Sequence, residues 1–251
     1  MSELVDYTRQ GAIGVITINN PPVNALSPGV PEGIYESLQQ GMSDPDVKAM
    51  VLIGGGRSFI AGADIKHVGK QKSPIAMKWR DEMEKMEKPV VAAIHGFALG
   101  GGLESALCCH YRVAVPSARV GLPEVLIGIL PGGGGTQRLP RLVGPKKAME
   151  LIVSGRHVPA SEAKELGIID EIVPENDLRG AAIAFAGKIA DTRPLPRVGE
   201  RTDKLQEAKD DPGMFDAMRK KIERRARNQV APYHCIKCVE AAVALPLEKG
   251  L

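Results

Sequence analysis

The sequence predicts an α/β layer that gives way to a helical region, and three observations carry that prediction. Short apolar runs rich in β-branched residues, such as Val15-Ile16-Thr17-Ile18, Ala49 to Ile53 and Pro89 to Ile94, have the length of buried strands. They recur in the order strand, strand, helix. After about residue 136 the helices take over.

Taken in order, Leu4 to Asn19 reads as two strands joined at Gln10-Gly11 and stopped by Pro21-Pro22. Ser27-Pro28 supplies a cap and a first-turn proline for a helix running towards Gln40. Asp44-Pro45-Asp46 is a turn, and the strand Ala49 to Ile53 ends in Gly54-Gly55-Gly56. A glycine-bearing loop, Ser58 to Asp64, follows. Ile75 to Glu87 is an amphipathic, charged helix that must end before Pro89. Then comes the stretch on which the chain is organised: the strand to Ile94, a glycine turn Gly96 to Gly102, and a buried helix through Ser105 to Cys109 with Glu104 in its first turn. Tyr111 to Val115 is a strand, and helices lie near Gln137 to Leu142, Lys146 to Val153 and Ser161 to Leu166. Ile168 to Val173 is a short strand and Asn176 to Ala190 a helix. Thr192 to Gly199, with Pro194 and Pro196, is a bend or linker, so the chain divides into 1–191 and a charged helical region, 192–251.

Composition removes several classes of function. A chain of 251 residues with 43% hydrophobic content can bury a sizeable core. A net charge of +3 is too mild to argue for nucleic acid. No apolar run approaches the ~20 residues of a membrane span. Met1 to Gln10 carries acids and no apolar signal core. The expected compartment is therefore cytoplasmic, with the four cysteines reduced.

The motifs narrow the chemistry. Neither G-x-G-x-x-G nor G-x-x-x-x-G-K-[ST] occurs, so a dinucleotide or P-loop site has no support. Cys235-Ile236-Lys237-Cys238, His234 and Cys108-Cys109-His110 offer zinc-ligand types. Yet adjacent cysteines seldom converge on one metal, and the C-x-x-C sits in an apolar helical run where cysteine behaves as a small hydrophobe. No metal is expected. Arg219 to Arg225 is basic, but it has no aromatic stacking platform and lies beside Met214, Phe215, Met218 and Ile222, which favours a solvated helix face. What remains is two glycine loops and two glutamates, Glu104 and Glu124. Free N–H groups at a helix start suit an oxygen that is gaining charge, and an acid/base group one turn away suits chemistry on a carbonyl.

Ala61-Gly62-Ala63-Asp64-Ile65, Gly100-Gly101-Gly102-Leu103-Glu104, Pro123-Glu124 and Gly128 to Gln137 together resemble the crotonase (enoyl-CoA hydratase/isomerase) family, over about Val5 to Asp191. The resemblance implies a spiral of ββα units with a C-terminal helical region, and a CoA thioester as the ligand. It implies that the N–H groups of Ala63 and Gly101 form the oxyanion hole. Glu104 is then the base that activates water and Glu124 the acid that protonates C2. Ala61, Gly62, Asp64, Ile65, Lys66 and Gly100 are expected to line the thioester and CoA site. Having both glutamates favours hydration of 2-enoyl-CoA in fatty acid β-oxidation; Δ3,Δ2-enoyl-CoA isomerisation, alone or in addition, is the alternative. The reaction needs no metal or redox cofactor.

From Arg193 onwards the sequence is similar to the end of the hydratase half of bifunctional hydratase/3-hydroxyacyl-CoA dehydrogenases, through Arg219 to Lys221, His234 to Val239 and Pro246 to Gly250. This implies either part of a larger bifunctional chain or a homotrimer or hexamer. For the animal subgroup it implies a peroxisomal address.

Overall fold

The structure, a computed structural model, describes residues 3–67, 69–70 and 73–251. Two sheets are visited in alternation. The larger one contains β1 (Val5–Gln10), β2 (Ile13–Ile18), β3 (Ala49–Gly54) and β4 (Val90–Ile94). The smaller begins with β5 (Phe97–Leu99); the chain then returns to the larger sheet as β6 (Tyr111–Ala114) and crosses again as β7 (Arg119–Gly121). β8 (Val158–Pro159) and β9 (Glu171–Ile172) complete the two sheets. The orders are β1-β2-β3-β4-β6-β9 and β5-β7-β8. β1 and β2 form an antiparallel hairpin, and every later pair in the large sheet is parallel. A parallel sheet is covered on both faces, and β3 and β4 are accordingly buried at every position.

The helices are α1 (Val30–Ser43), α2 (Pro74–Glu84), α3 (Gly101–Cys108), α4 (Gly135–Val143), α5 (Pro145–Ser154), α6 (Ala160–Glu165), α7 (Leu178–Ile189), α8 (Gln206–Asp210), α9 (Met214–Ile222), α10 (Ala231–Ala244) and α11 (Leu247–Gly250). α1 and α7 pack on the large sheet, and α10 lies on α4 and α5. A buried ion cluster joins α2 and α4 to residues beyond 191. Arg138 of α4 donates to Glu84 (Nε 3.0 Å, Nη2 2.8 Å) and Asp81 (2.6 Å) of α2, and Glu84 accepts the Gly199 N–H at 2.6 Å.

Three local expectations are corrected. α1 begins at Val30 rather than at Ser27-Pro28. Ser27 Oγ accepts from Asn20 Nδ2 instead (2.7 Å), and Gly29 becomes the cap residue, its N–H held by Glu32 Oε2 at 2.9 Å. The glycine stretch is not one turn, because β5 interrupts it between Gly96 and Gly100, pairing with β7. α2 stops at Glu84, where the Lys85 N–H turns back to Glu82 O. On the basic C-terminal run, Met214, Phe215, Met218 and Ile222 are buried, while Arg219 pairs with Asp216 (2.8 Å) and Glu240 (2.5 Å).

Candidate active site

Two strands of backbone bring the glycine loops together. The segment before Ala63 is pinned through the Leu26 N–H to Gly62 O (2.9 Å) and the Ala61 N–H to Val23 O (3.1 Å). Ile60 bridges Ala98 of β5, so this loop lies alongside the strand that leads into α3. Gly100 makes the corner: its N–H donates to Gly121 O (2.8 Å), and its φ of 52° belongs to the left-handed region that glycine alone adopts readily. The N–H groups of Ala63 and Gly101 meet no acceptor among the described residues. They are close neighbours, since a Cβ on Gly101 would stand 3.6 Å from Ala63 N.

Glu104 is buried, at 3% exposure, and one of its two oxygens is engaged. Its Oε1 accepts the N–H groups of Gly133 (2.7 Å) and Gly135 (2.8 Å), supplied by the glycine run that opens α4. Both donors are backbone N–H groups, so the loop fixes the direction in which the carboxylate points. The run must be glycine at Gly133, where a Cβ would stand 2.5 Å from Glu104 Oε2.

Glu124 sits in a single 3₁₀ segment, Pro123–Ile127. Its buried Oε2 has no hydrogen-bond partner among the described residues. Burial first, and the neighbouring Glu104 charge second, push its carboxyl up to about 7. One carboxylate is thus pinned by two backbone donors, while the other is inclined to keep a proton near neutrality.

Both face a cavity of about 320 Å³. Of the ten expected site residues, Ala63, Asp64, Gly101, Glu104 and Glu124 line it; Ala61, Gly62, Ile65, Lys66 and Gly100 do not. Ala61, Gly62 and Gly100 serve through the backbone bonds given above. Ile65 is 72% exposed, and Lys66 is exposed with its N–H on Asp64 Oδ1 (3.0 Å). Asp64 also binds His67 Nδ1 at 2.9 Å, and that bond chiefly holds its carboxyl below the usual range. Sequence reasoning missed Trp79 and Arg80, which α2 brings into the wall. Arg80 sits over the Trp79 ring, 4.8 Å from its centroid. No local signal marks them, because an arginine on a charged helix reads as solvated. The roles of Gly133 and Gly135 did have a signal, in the run Gly132 to Gly135.

A family profile described as enoyl-CoA hydratase/isomerase matches residues 8–228, most of the chain. The chain belongs to the enoyl-CoA hydratase/isomerase family. An enoyl-CoA hydratase from Bacillus anthracis is 31% identical with a TM-score of 0.69, the match covering 92% of this chain and all of that one. The mixed α/β fold is therefore the crotonase fold. A peroxisomal bifunctional enzyme of Danio rerio is 45% identical over 243 residues, covering 96% of this chain and 33% of the relative. A glyoxysomal fatty acid β-oxidation multifunctional protein of Cucumis sativus is 40% identical over 250 residues, covering 95% and 34%. This member of the enoyl-CoA hydratase/isomerase family spans about a third of the length of those curated relatives. It matches their hydratase part.

Among the described residues no group of three or more His, Cys, Asp and Glu is placed to hold a metal ion, and no helix is long and apolar enough to cross a membrane. Cys108, Cys109 and Cys235 are buried in the core, and burial pushes the Cys108 and Cys235 thiols up to about 12.

Proposed function

We propose that this chain adds water across the 2,3 double bond of 2-enoyl-CoA thioesters in fatty acid β-oxidation, as the hydratase part of a longer bifunctional chain. A peroxisomal address accords with the relatives' names. The observation that carries the reading is the unequal pair of carboxyl groups, Glu104 and Glu124, on one cavity with two unoccupied backbone donors.

A conjugated thioester accepts a nucleophile at C3 only if its oxygen can take up the displaced electron pair. The N–H groups of Ala63 and Gly101 are placed to bind that oxygen, and such donors favour the enolate over the neutral carbonyl. Glu104, fixed by Gly133 and Gly135, takes a proton from the attacking water. Glu124 keeps its proton to about pH 7 and delivers it to C2. Proton count and charge then balance: one proton moves from water to Glu104, one from Glu124 to carbon.

Loss of the conjugated-thioester absorbance of crotonyl-CoA on incubation with the protein tests this reading. Turnover across short, medium and long 2-enoyl-CoAs defines the acyl preference. A 3-enoyl-CoA that is converted to the conjugated compound and left unhydrated would replace hydration by isomerisation. Thioester binding without turnover would defeat both.

A further inference from the structure

Arg80 is a guanidinium without an anion. It is half-buried in the cavity wall, and among the described residues no carboxylate lies within ion-pair distance of it. Its neighbours on α2, Asp81 and Glu84, are both taken by Arg138. Its own tethers are neutral: Nε donates to Ser105 Oγ (3.0 Å) and Nη2 to Gly101 O (3.3 Å). Ser105 in turn donates to Gly101 O at 2.7 Å. A partly desolvated charge held by neutral groups is costly to keep.

What it fronts accounts for that cost. Arg80 Nη1 lies 3.2 Å, and Glu104 Oε2 2.5 Å, from the one point where a Cβ on Gly133 would stand. Oε2 is the oxygen that the glycine loop leaves unbound. On the other side, Arg80 Nη2 lies 3.4 Å and Ala63 N 3.6 Å from the point where a Cβ on Gly101 would stand. One cation therefore adjoins both the base and the N–H pair.

Resting on the hydratase reading, we propose that Arg80 is a positioning residue: tethered to Gly101 and Ser105, it fixes the first turn of α3, on which the Gly101 N–H and Glu104 both stand. The other charged groups around Glu104 are Glu124 on its 3₁₀ segment, and Glu32, Asp64, His67 and Lys70 along the cavity. Arg138 on α4 is matched by Asp81 and Glu84.

The test compares Arg80→Met, Arg80→Gln, Arg80→Lys and Ser105→Ala for kcat, KM and the thermal midpoint. Arg80→Met removes the charge and both tethers. It is expected to lower kcat by about 10- to 100-fold, short of the ~10²–10³ cost of an oxyanion donor. KM should stay within about threefold. Arg80→Lys, which keeps a long donor-bearing side chain for the tethers, should recover part of the kcat loss. Ser105→Ala, which loosens one tether, should cost a few-fold in kcat. Arg80→Gln takes the place of Arg80→Met should the latter not fold.

Neutral variants with the kcat of wild type would overturn the proposal. So would a loss confined to KM, which would make Arg80 a substrate contact, or a kcat loss with no recovery in Arg80→Lys. Wild-type protein that fails to hydrate crotonyl-CoA defeats the hydratase reading itself; wild type that hydrates, with unaltered variants, defeats the Arg80 proposal alone.

Discussion

Glu104 and Glu124 are the same side chain in two different settings. Glu104 stands on a core helix, with two backbone N–H groups on one oxygen. Glu124 stands on a short 3₁₀ segment with a buried oxygen that nothing in the described residues satisfies, and its carboxyl is pushed up to about 7 by burial and by Glu104. In the hydration proposed above, acid and base would then be the same residue type, set apart by donors at one carboxyl and burial without a donor at the other.

Several measurements break or sharpen this contrast. Replacing either carboxyl should have the largest effect. Glu104→Gln and Glu124→Gln should each lower kcat for crotonyl-CoA by about 10²–10⁴-fold, and full activity in both would dissolve the distinction. Next comes the loop that holds the base. Gly133→Ala places a methyl group 2.5 Å from Glu104 Oε2 and should displace the carboxylate, lowering kcat by roughly 10²-fold, as misplacement of a catalytic group does. Gly135→Ala, whose Cβ would stand 3.0 Å from Oε1, should cost less.

The pH dependence then separates the two glutamates. In the hydration direction Glu124 must hold a proton, so kcat/KM should fall as pH rises through about 7. A stopped assay from pH 5 to 9 reads that limb, and Glu124→Gln should lack it. Stability carries the same sign. A carboxyl whose folded-state value is raised from 4.5 to about 7 binds a proton in the folded chain that the unfolded chain releases between those values. The free energy of unfolding therefore declines as pH climbs from about 4.5 to about 7. Glu124→Gln escapes that decline, and its stability relative to wild type should improve by ~1–3 kcal/mol between pH 5 and pH 8 in urea denaturation. The smallest effect belongs to Lys66→Ala. Lys66 is exposed and outside the cavity wall, so KM should change by less than about threefold.

The contrast also marks how far the sequence could be read. The buried strands β2, β3 and β4 were legible because apolar, β-branched runs of that length have few other uses. That Glu104 and Glu124 share one cavity was legible because each follows an apolar, glycine-bearing segment. Their unlike environments were not, since the donors to Glu104 come from residues 29 and 31 positions further on. β5 is only three residues long, and its pairing with β7 depends on a partner more than twenty residues away. The start of α1 was misplaced for a similar reason: Ser27 is a good cap by type, but Asn20 claims its hydroxyl. Arg80 was invisible because an unpaired cation is defined by which carboxylates other residues have already taken.

Trp79 has a practical consequence. It is the single tryptophan of the chain, fully buried, in the cavity wall beneath the Arg80 guanidinium. Its ultraviolet emission comes from one place in the molecule and, with four tyrosines as background, changes there can be followed without a label. Occupation of the cavity, or movement of the cation above the indole, becomes an optical signal native to the protein, so ligand affinities can be titrated separately from turnover.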